Sequence, residues 1–366
     1  TGEPTGILRE WSAMEIVESC LPPPTTQDRV MAGWAFLQRA SKMGVVSVHE
    51  AMAGEAELLA YRALEEDGGL TVRVRASLLC EPEKGPEQID LLLDLRESFQ
   101  SELIAPGAAK IFVDGVIEGH TAFLLSPYAD IPGYHGECLW PPDDLNRIAA
   151  LLDSQGFQLH FHAVGDRGVR MALDAVEHAH ARNGVRDARH MIAHADLIHP
   201  DDIPRFGSLG VTANLQPIWF CEEKHFARTT LAFLGEARAW NLYPVKDLLK
   251  HGAALTLGTD WPFSGELNTF NPLESVQVAV TRCTPGDFSR PYNPDQCMDL
   301  ETVFRAHTIE GARADFQEDV TGSVCVGKSA DLAVLDRNIF EMPAHEISES
   351  RVLMTIFRGK IVHRLL

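Results

Sequence analysis

The chain has 366 residues, with 32 Lys and Arg against 52 Asp and Glu, so its formal charge is −20. That balance argues against nucleic acid or an anionic membrane as the main partner, since both need a basic face. Hydrophobic residues make up 45% and charged residues 23%, which excludes a disordered chain and leaves two domains or one large α/β barrel with an appendage.

From about residue 44 a rhythm repeats: a short apolar, β-branched run, a polar turn, then a helical pattern. Strands are predicted at residues 45–49, 72–79, 109–114, 158–163, 190–194, 211–215 and 254–260, with amphipathic helices such as 144–152 and 169–181 between them. This alternation indicates an α/β fold, a parallel sheet with right-handed crossovers. Seven strands is one short of a closed (β/α)8 TIM-like barrel, and the competing doubly wound sheet lacks a G-x-G-x-x-G after any strand. Beyond a helical pattern over 300–316 the texture changes. Residues 322–336 read as two short strands around a Gly-Lys turn, and 352–358 with 361–363 as a hairpin through Gly359-Lys360. The expected division is a barrel part over 1–318 and a small part over 319–366, whose strands are too few for an independent sheet.

Polar residues recur at the C-terminal ends of the predicted strands, where β/α barrels build active sites. By strand alternation Lys110, Phe112 and Asp114 share a side, as do His160 and His162, His190 and His194, and Thr256, Gly258 and Asp260. A lone strand histidine is more often hydrogen-bonded core than a ligand. Two histidines and an aspartate on separate strand ends reverse that balance, because neutral imidazoles and a carboxylate are what Zn²⁺ takes. Lys110, flanked by Ala-Ala and Ile-Phe-Val, is costly to bury as an ammonium. It either pairs with an acid or loses its proton and is carbamylated into an anionic ligand. Asp114-Gly115 and Asp166-Arg167 read as turn formers or structural ties, while Arg189, His190, Asp196 and His49 carry weaker signals. No G-x-S-x-G elbow is present. Seven cysteines without a C-x-x-C pair argue against a disulfide framework and place the chain in a reducing compartment, the cytoplasm. The start at Thr1, with no charged and apolar leader behind it, reads as the interior of a longer product, so an export signal upstream stays open.

Taken together, Lys110-Ile-Phe-Val-Asp-Gly, His162-Ala-Val-Gly-Asp-Arg, Arg189-His-Met-Ile-Ala-His-Ala-Asp, Gln216-Pro, Gly258-Thr-Asp-Trp-Pro and Gly327-Lys-Ser-Ala-Asp-Leu-Ala-Val-Leu-Asp336 form an ordered set. In them the chain resembles the metal-dependent amidohydrolases, in the branch called amidohydrolase family 3 that includes N-substituted formamide deformylase-like proteins. The likeness runs from Gly2-Glu-Pro-Thr-Gly-Ile-Leu to Arg358-Gly-Lys. It implies that Lys110, on the family's strand four, is a carbamylated bridging ligand. His162 and His194, ending strands five and six, would be metal ligands. Asp260, ending strand eight, would bind metal and take a proton from the attacking water. It further implies one or two divalent ions, zinc first and iron or manganese next, and hydrolysis of an amide, formamide or cyclic-amide C–N bond in a small-molecule substrate.

Two departures stand out. Ala193 occupies a position where the family usually has Glu, and no H-x-H lies upstream of His49. The expectation is a barrel holding strands two to eight, without strand one, its two histidines and the N-terminal half of a composite β-sandwich. Such a chain would pair with the missing N-terminal fragment or form a homo-oligomer, because unpaired strand edges attract partners. The rival to the enzyme is a catalytically inert remnant or regulatory protein on the same scaffold. The loops over 116–137 and 219–236 are expected to set specificity.

Overall fold

The computed structural model describes residues 6, 8 and 10–365. Most of the stretch from Gly2 to Leu8 that joins the family resemblance therefore lies outside the described residues. Seven strands, β1 (Ser47–Ala53), β2 (Arg73–Cys80), β3 (Ile104–Phe112), β4 (Gln158–Ala163), β5 (Met191–His194), β6 (Thr212–Leu215) and β7 (Ala254–Leu257), form one sheet in sequence order. Every neighbouring pair is parallel. The second sheet holds β8 (Leu332–Leu335), β9 (Val352–Phe357) and β10 (Lys360–Arg364), antiparallel with β9 central.

The large sheet is strongly curled. The rings of His49 on β1 and His160 on β4 lie 5.0 Å apart, whereas three strand spacings in a flat sheet would separate them by roughly 14 Å. Alternation along β4 shows what drives the curl. Leu159, Phe161 and Ala163 are fully buried on the outer face, under helices. Helix Pro142–Ser154 contributes Leu145, Ile148 and Leu152, and helix Asp166–Asn183 contributes Val169, Leu173 and Val176. Gln158, His160 and His162 turn to the concave side, where polar side chains from other strands meet them.

The α/β class, the parallel order of the seven strands and the 352–363 hairpin match the sequence reading. Five details differ. His190 does not share a side with His194: Met191 and Ala193 face the concave cavity, whereas His190 Nε2 sits 3.2 Å from Asp153 Oδ1 on the helix layer. The predicted last strand ends at Leu257, three residues early. The 300–316 pattern is two helices, Leu300–His307 and Ile309–Ala314, broken at Thr308. Of the two strands expected in 322–336, only β8 forms, and the hairpin turns at Arg358-Gly359, whose φ angles of 52° and 76° are both left-handed.

Candidate functional site

A cavity of about 1920 Å³ occupies the concave side of the sheet, and Lys110, His162, His194 and Asp260 all line it. Register explains part of the convergence. Phe112 on β3 lies opposite His162 on β4, and Ala163 on β4 opposite His194 on β5. Strand ends therefore advance around the curl with their terminal side chains at one level.

Lys110 is only 3% exposed. Burial lowers its pKa to about 8, a fall that the Asp260 carboxylate opposes. Asp260 is raised to about 6 by burial, with the lysine charge pulling the other way. An amine of this kind holds a neutral fraction near physiological pH that an exposed lysine lacks.

The two histidines are held as neutral rings of fixed tautomer. Their ring centroids are 4.4 Å apart. Burial pushes His162 down to about 3 and His194 well below the usual imidazole range. His162 Nε2 is 3.2 Å from the Gly115 carbonyl; a carbonyl only accepts, so Nε2 carries the proton and Nδ1 keeps a lone pair. His194 Nδ1 is 2.9 Å from Gln216 Oε1, which leaves Nε2 as its lone-pair nitrogen. The Gln216 amide is itself oriented by donating from Nε2 to Asn214 Oδ1 at 3.1 Å and to the Asn214 carbonyl at 3.2 Å.

Backbone conformation delivers two of the four side chains. His194 and Asp260 have φ angles of 75° and 54°, in the left-handed region that non-glycine residues rarely occupy. At His194 this reversal ends the alternation of β5 and swings the imidazole into the cavity, which explains why strand parity misplaced its partner His190. Such strain at a site must be held by its surroundings.

Asp114 and Asp166 are the structural ties that the sequence indicated. Asp114 accepts from the backbone N–H groups of Phe123, Val164 and Gly165 at 2.8, 2.9 and 2.9 Å, fixing the loop after β3 to the end of β4. Gly168 is required beside it, because a Cβ there would lie 2.5 Å from Asp114 Oδ2. Asp166 accepts from Leu125 N at 2.8 Å.

Sequence reading gave Gln216 only as part of a motif and missed Ser77 and Asp315, while His49 carried a weak signal. These residues form hydrogen bonds under or beside the four cavity residues. Trp219 stood in the sequence only as the first residue of the 219–236 loop; its ring lies 5.4 Å from that of His194. Among the described residues no three His, Cys, Asp or Glu side chains stand together as a ready metal cage. A metal at this level would need the lysine as a donor beside His162 Nδ1, His194 Nε2 and Asp260.

No helix among the described residues is long and apolar enough to cross a membrane. Protein LONG AFTER FAR-RED 3 of Arabidopsis thaliana is 31% identical over 369 residues, covering 98% of this chain and 61% of the relative. N-substituted formamide deformylase of Arthrobacter pascens is 26% identical over 278 residues, covering 71% of this chain and 46% of the enzyme. The chain thus spans less than two thirds of the length of these relatives. A crystal structure of an uncharacterized metal-dependent hydrolase from Pyrococcus horikoshii OT3 superposes with a TM-score of 0.75 at 26% identity, covering 91% of this chain and 64% of that one. A model of the amidohydrolase family matches residues 1–363, nearly the whole sequence. On that match the chain belongs to the amidohydrolase family.

Proposed function

We propose that the chain carries the reaction centre of a metal-dependent hydrolase acting on a C–N bond of a small amide, formamide or cyclic amide. In this reading Lys110, His162, His194 and Asp260 hold one or two divalent ions. Zinc is the first choice, with iron or manganese next, because such donors do not discriminate by affinity alone. Residues 1–318 form the barrel part and 319–366 belong to a composite β-sandwich.

The observation that carries the reading is the pair of tautomer locks, His162 Nε2 on the Gly115 carbonyl and His194 Nδ1 on Gln216. Each hands the cavity a neutral nitrogen lone pair, and hydrogen bonds of this type orient metal-binding histidines. The Lys110 amine fits as well. Its lowered pKa raises the neutral fraction, which combines with CO₂ to a carbamate with release of one proton. A divalent ion held by these residues would supply hydroxide from water at neutral pH and polarise a carbonyl. Asp260, raised to about 6, is ionised at neutral pH yet close enough in pKa to take a proton and return it to the leaving nitrogen. Trp219, beside His194, and Phe112 give the substrate an apolar wall in the cavity. The relatives named as a formamide deformylase and a metal-dependent hydrolase support the reaction class.

The test is metal analysis of the purified chain, with hydrolysis of N-substituted formamides and cyclic amides by wild type, His162→Ala and Asp260→Ala. Bound metal and activity in wild type, both lost or reduced by at least 100-fold in the variants, are expected. Hydrolysis that survives both substitutions overturns the ligand role of His162 and the proton-transfer role of Asp260. A second reading, an inert scaffold, is favoured by one observation: among the described residues no three His, Cys, Asp or Glu form a metal cage. Absence of metal and activity under all these conditions would select it.

A further inference from the structure

Beside Lys110 and His162, four side chains without a part in the proposed reaction form a continuous chain. Asp315 Oδ1 is 2.8 Å from His49 Nδ1, His49 Nε2 is 2.8 Å from Ser77 Oγ, and Ser77 Oγ is 2.8 Å from His160 Nδ1. The chain runs from the end of helix Ile309–Ala314 through β1 and β2 to β4. At its far end His160 Nε2 is buried and has no hydrogen-bond partner among the described residues. A buried nitrogen without a partner is costly, so it marks a place where one is wanted. His160 lies opposite Lys110 in the β3–β4 register, and both side chains line the cavity.

The chemistry of the donors gives the chain a direction. A carboxylate only accepts, so His49 donates from Nδ1. In the neutral ring the Nε2 lone pair then takes the Ser77 hydroxyl hydrogen. A hydroxyl has one hydrogen to give, so toward His160 the Ser77 oxygen accepts, and His160 carries its proton on Nδ1. Its Nε2 is left as a lone pair. The opposite direction needs protons on both nitrogens of His49 and ends with an N–H at His160 Nε2, set against the N–H groups of Lys110.

We propose that Asp315, His49 and Ser77 fix the tautomer of His160, and that its Nε2 lone pair, unpartnered among the described residues, is the acceptor kept for the Lys110 amine opposite it in register, making His160 a positioning residue for Lys110. Once one N–H is held by His160, rotation at the end of the lysine is restricted and its remaining valences are aimed at the cavity. The inference rests on the metal-site reading for what Lys110 does, while the direction of the chain stands independently of it.

The test is ¹⁵N NMR of the metal-free full chain labelled at histidine, with the His160 signals identified through His160→Gln. Wild type is expected to show His160 protonated at Nδ1 and bare at Nε2. Lys110→Met should move the Nε2 resonance alone and leave the tautomer unchanged, whereas Ser77→Ala should give a mixture of the two tautomers. Asp315→Ala provides the same readout from the partly exposed end of the chain should Ser77→Ala not fold. A proton on Nε2 in wild type, an Nε2 signal indifferent to Lys110→Met, or an unmixed tautomer in both chain variants overturns the proposal. Zinc titration of the same proteins separates the two readings. Binding at least tenfold weaker in Ser77→Ala supports both. No zinc binding by a wild type that keeps the stated tautomer counts against the metal site and leaves the His160 assignment standing.

Discussion

His194 Nδ1 lies 2.9 Å from Gln216 Oε1, a contact that joins the end of β5 to the residue after β6 and decides which ring nitrogen faces the cavity. Gln216→Leu removes the acceptor while keeping the bulk. Zinc affinity is expected to fall roughly 10–100-fold with the fold intact, read by calorimetry and circular dichroism. Unchanged affinity would show that the contact is structural only.

Asp114 gathers three backbone N–H groups at the ends of β3 and β4. Asp114→Ala leaves them without an acceptor, at roughly 1–3 kcal/mol for each that stays buried. A loss of at least about 3 kcal/mol is expected in urea unfolding. Gly168→Ala, which drives a methyl into the same carboxylate, should also destabilise.

The pKa of Lys110 falls from 10.5 to about 8 in the folded chain, so the native state binds this proton more weakly than the unfolded state does. Stability is therefore reduced below pH 8 and recovers as pH rises from about 8 to 10.5. Relative to Lys110→Met, the metal-free wild type should gain on the order of 3 kcal/mol across that window. Asp260 acts at lower pH with the opposite slope: raised from 3.8 to about 6, it makes stability fall as pH rises through that interval. Unfolding midpoints of both proteins measured from about pH 4 to 10 check both limbs.

The β9–β10 turn tests the backbone argument away from the site. Gly359 has a φ of 76°, and a Cβ there meets nothing within 4 Å, so the cost of Gly359→Ala is conformational. A destabilisation of roughly 1–2 kcal/mol is expected, with no change in metal binding.

The seven-strand sheet has β1 at one edge and β7 at the other, with no pairing between them among the described residues. Such edges favour association. Light scattering is expected to show a concentration-dependent oligomer, and a monomer throughout contradicts this.

Local patterns made much of the fold legible. Strand β4 was bounded correctly at Gln158 and Ala163 because apolar and polar residues alternate without interruption. Parity failed at His190 because a single left-handed residue, His194, reverses the rule it relies on. β7 was drawn too long for a related reason: Asp260 has left extended geometry while its neighbours still read as a strand. The cavity level of Lys110, His162, His194 and Asp260 could be anticipated because each lies within three residues of the C-terminal end of a strand. The contacts between Asp315, His49, Ser77 and His160 could not, since their partners are 266, 28 and 83 residues apart in sequence. Only the curl of the sheet brings them together.

The imidazoles of His162 on β4 and His194 on β5 are governed by different kinds of anchor. His162 leans on a main-chain carbonyl, which no side-chain replacement can delete, so its orientation is inherited with the loop itself. The one on β5 leans on an amide that a single codon change can swap. Natural variation and laboratory evolution that retune this centre without dismantling it should therefore accumulate at position 216 far more readily than at position 115.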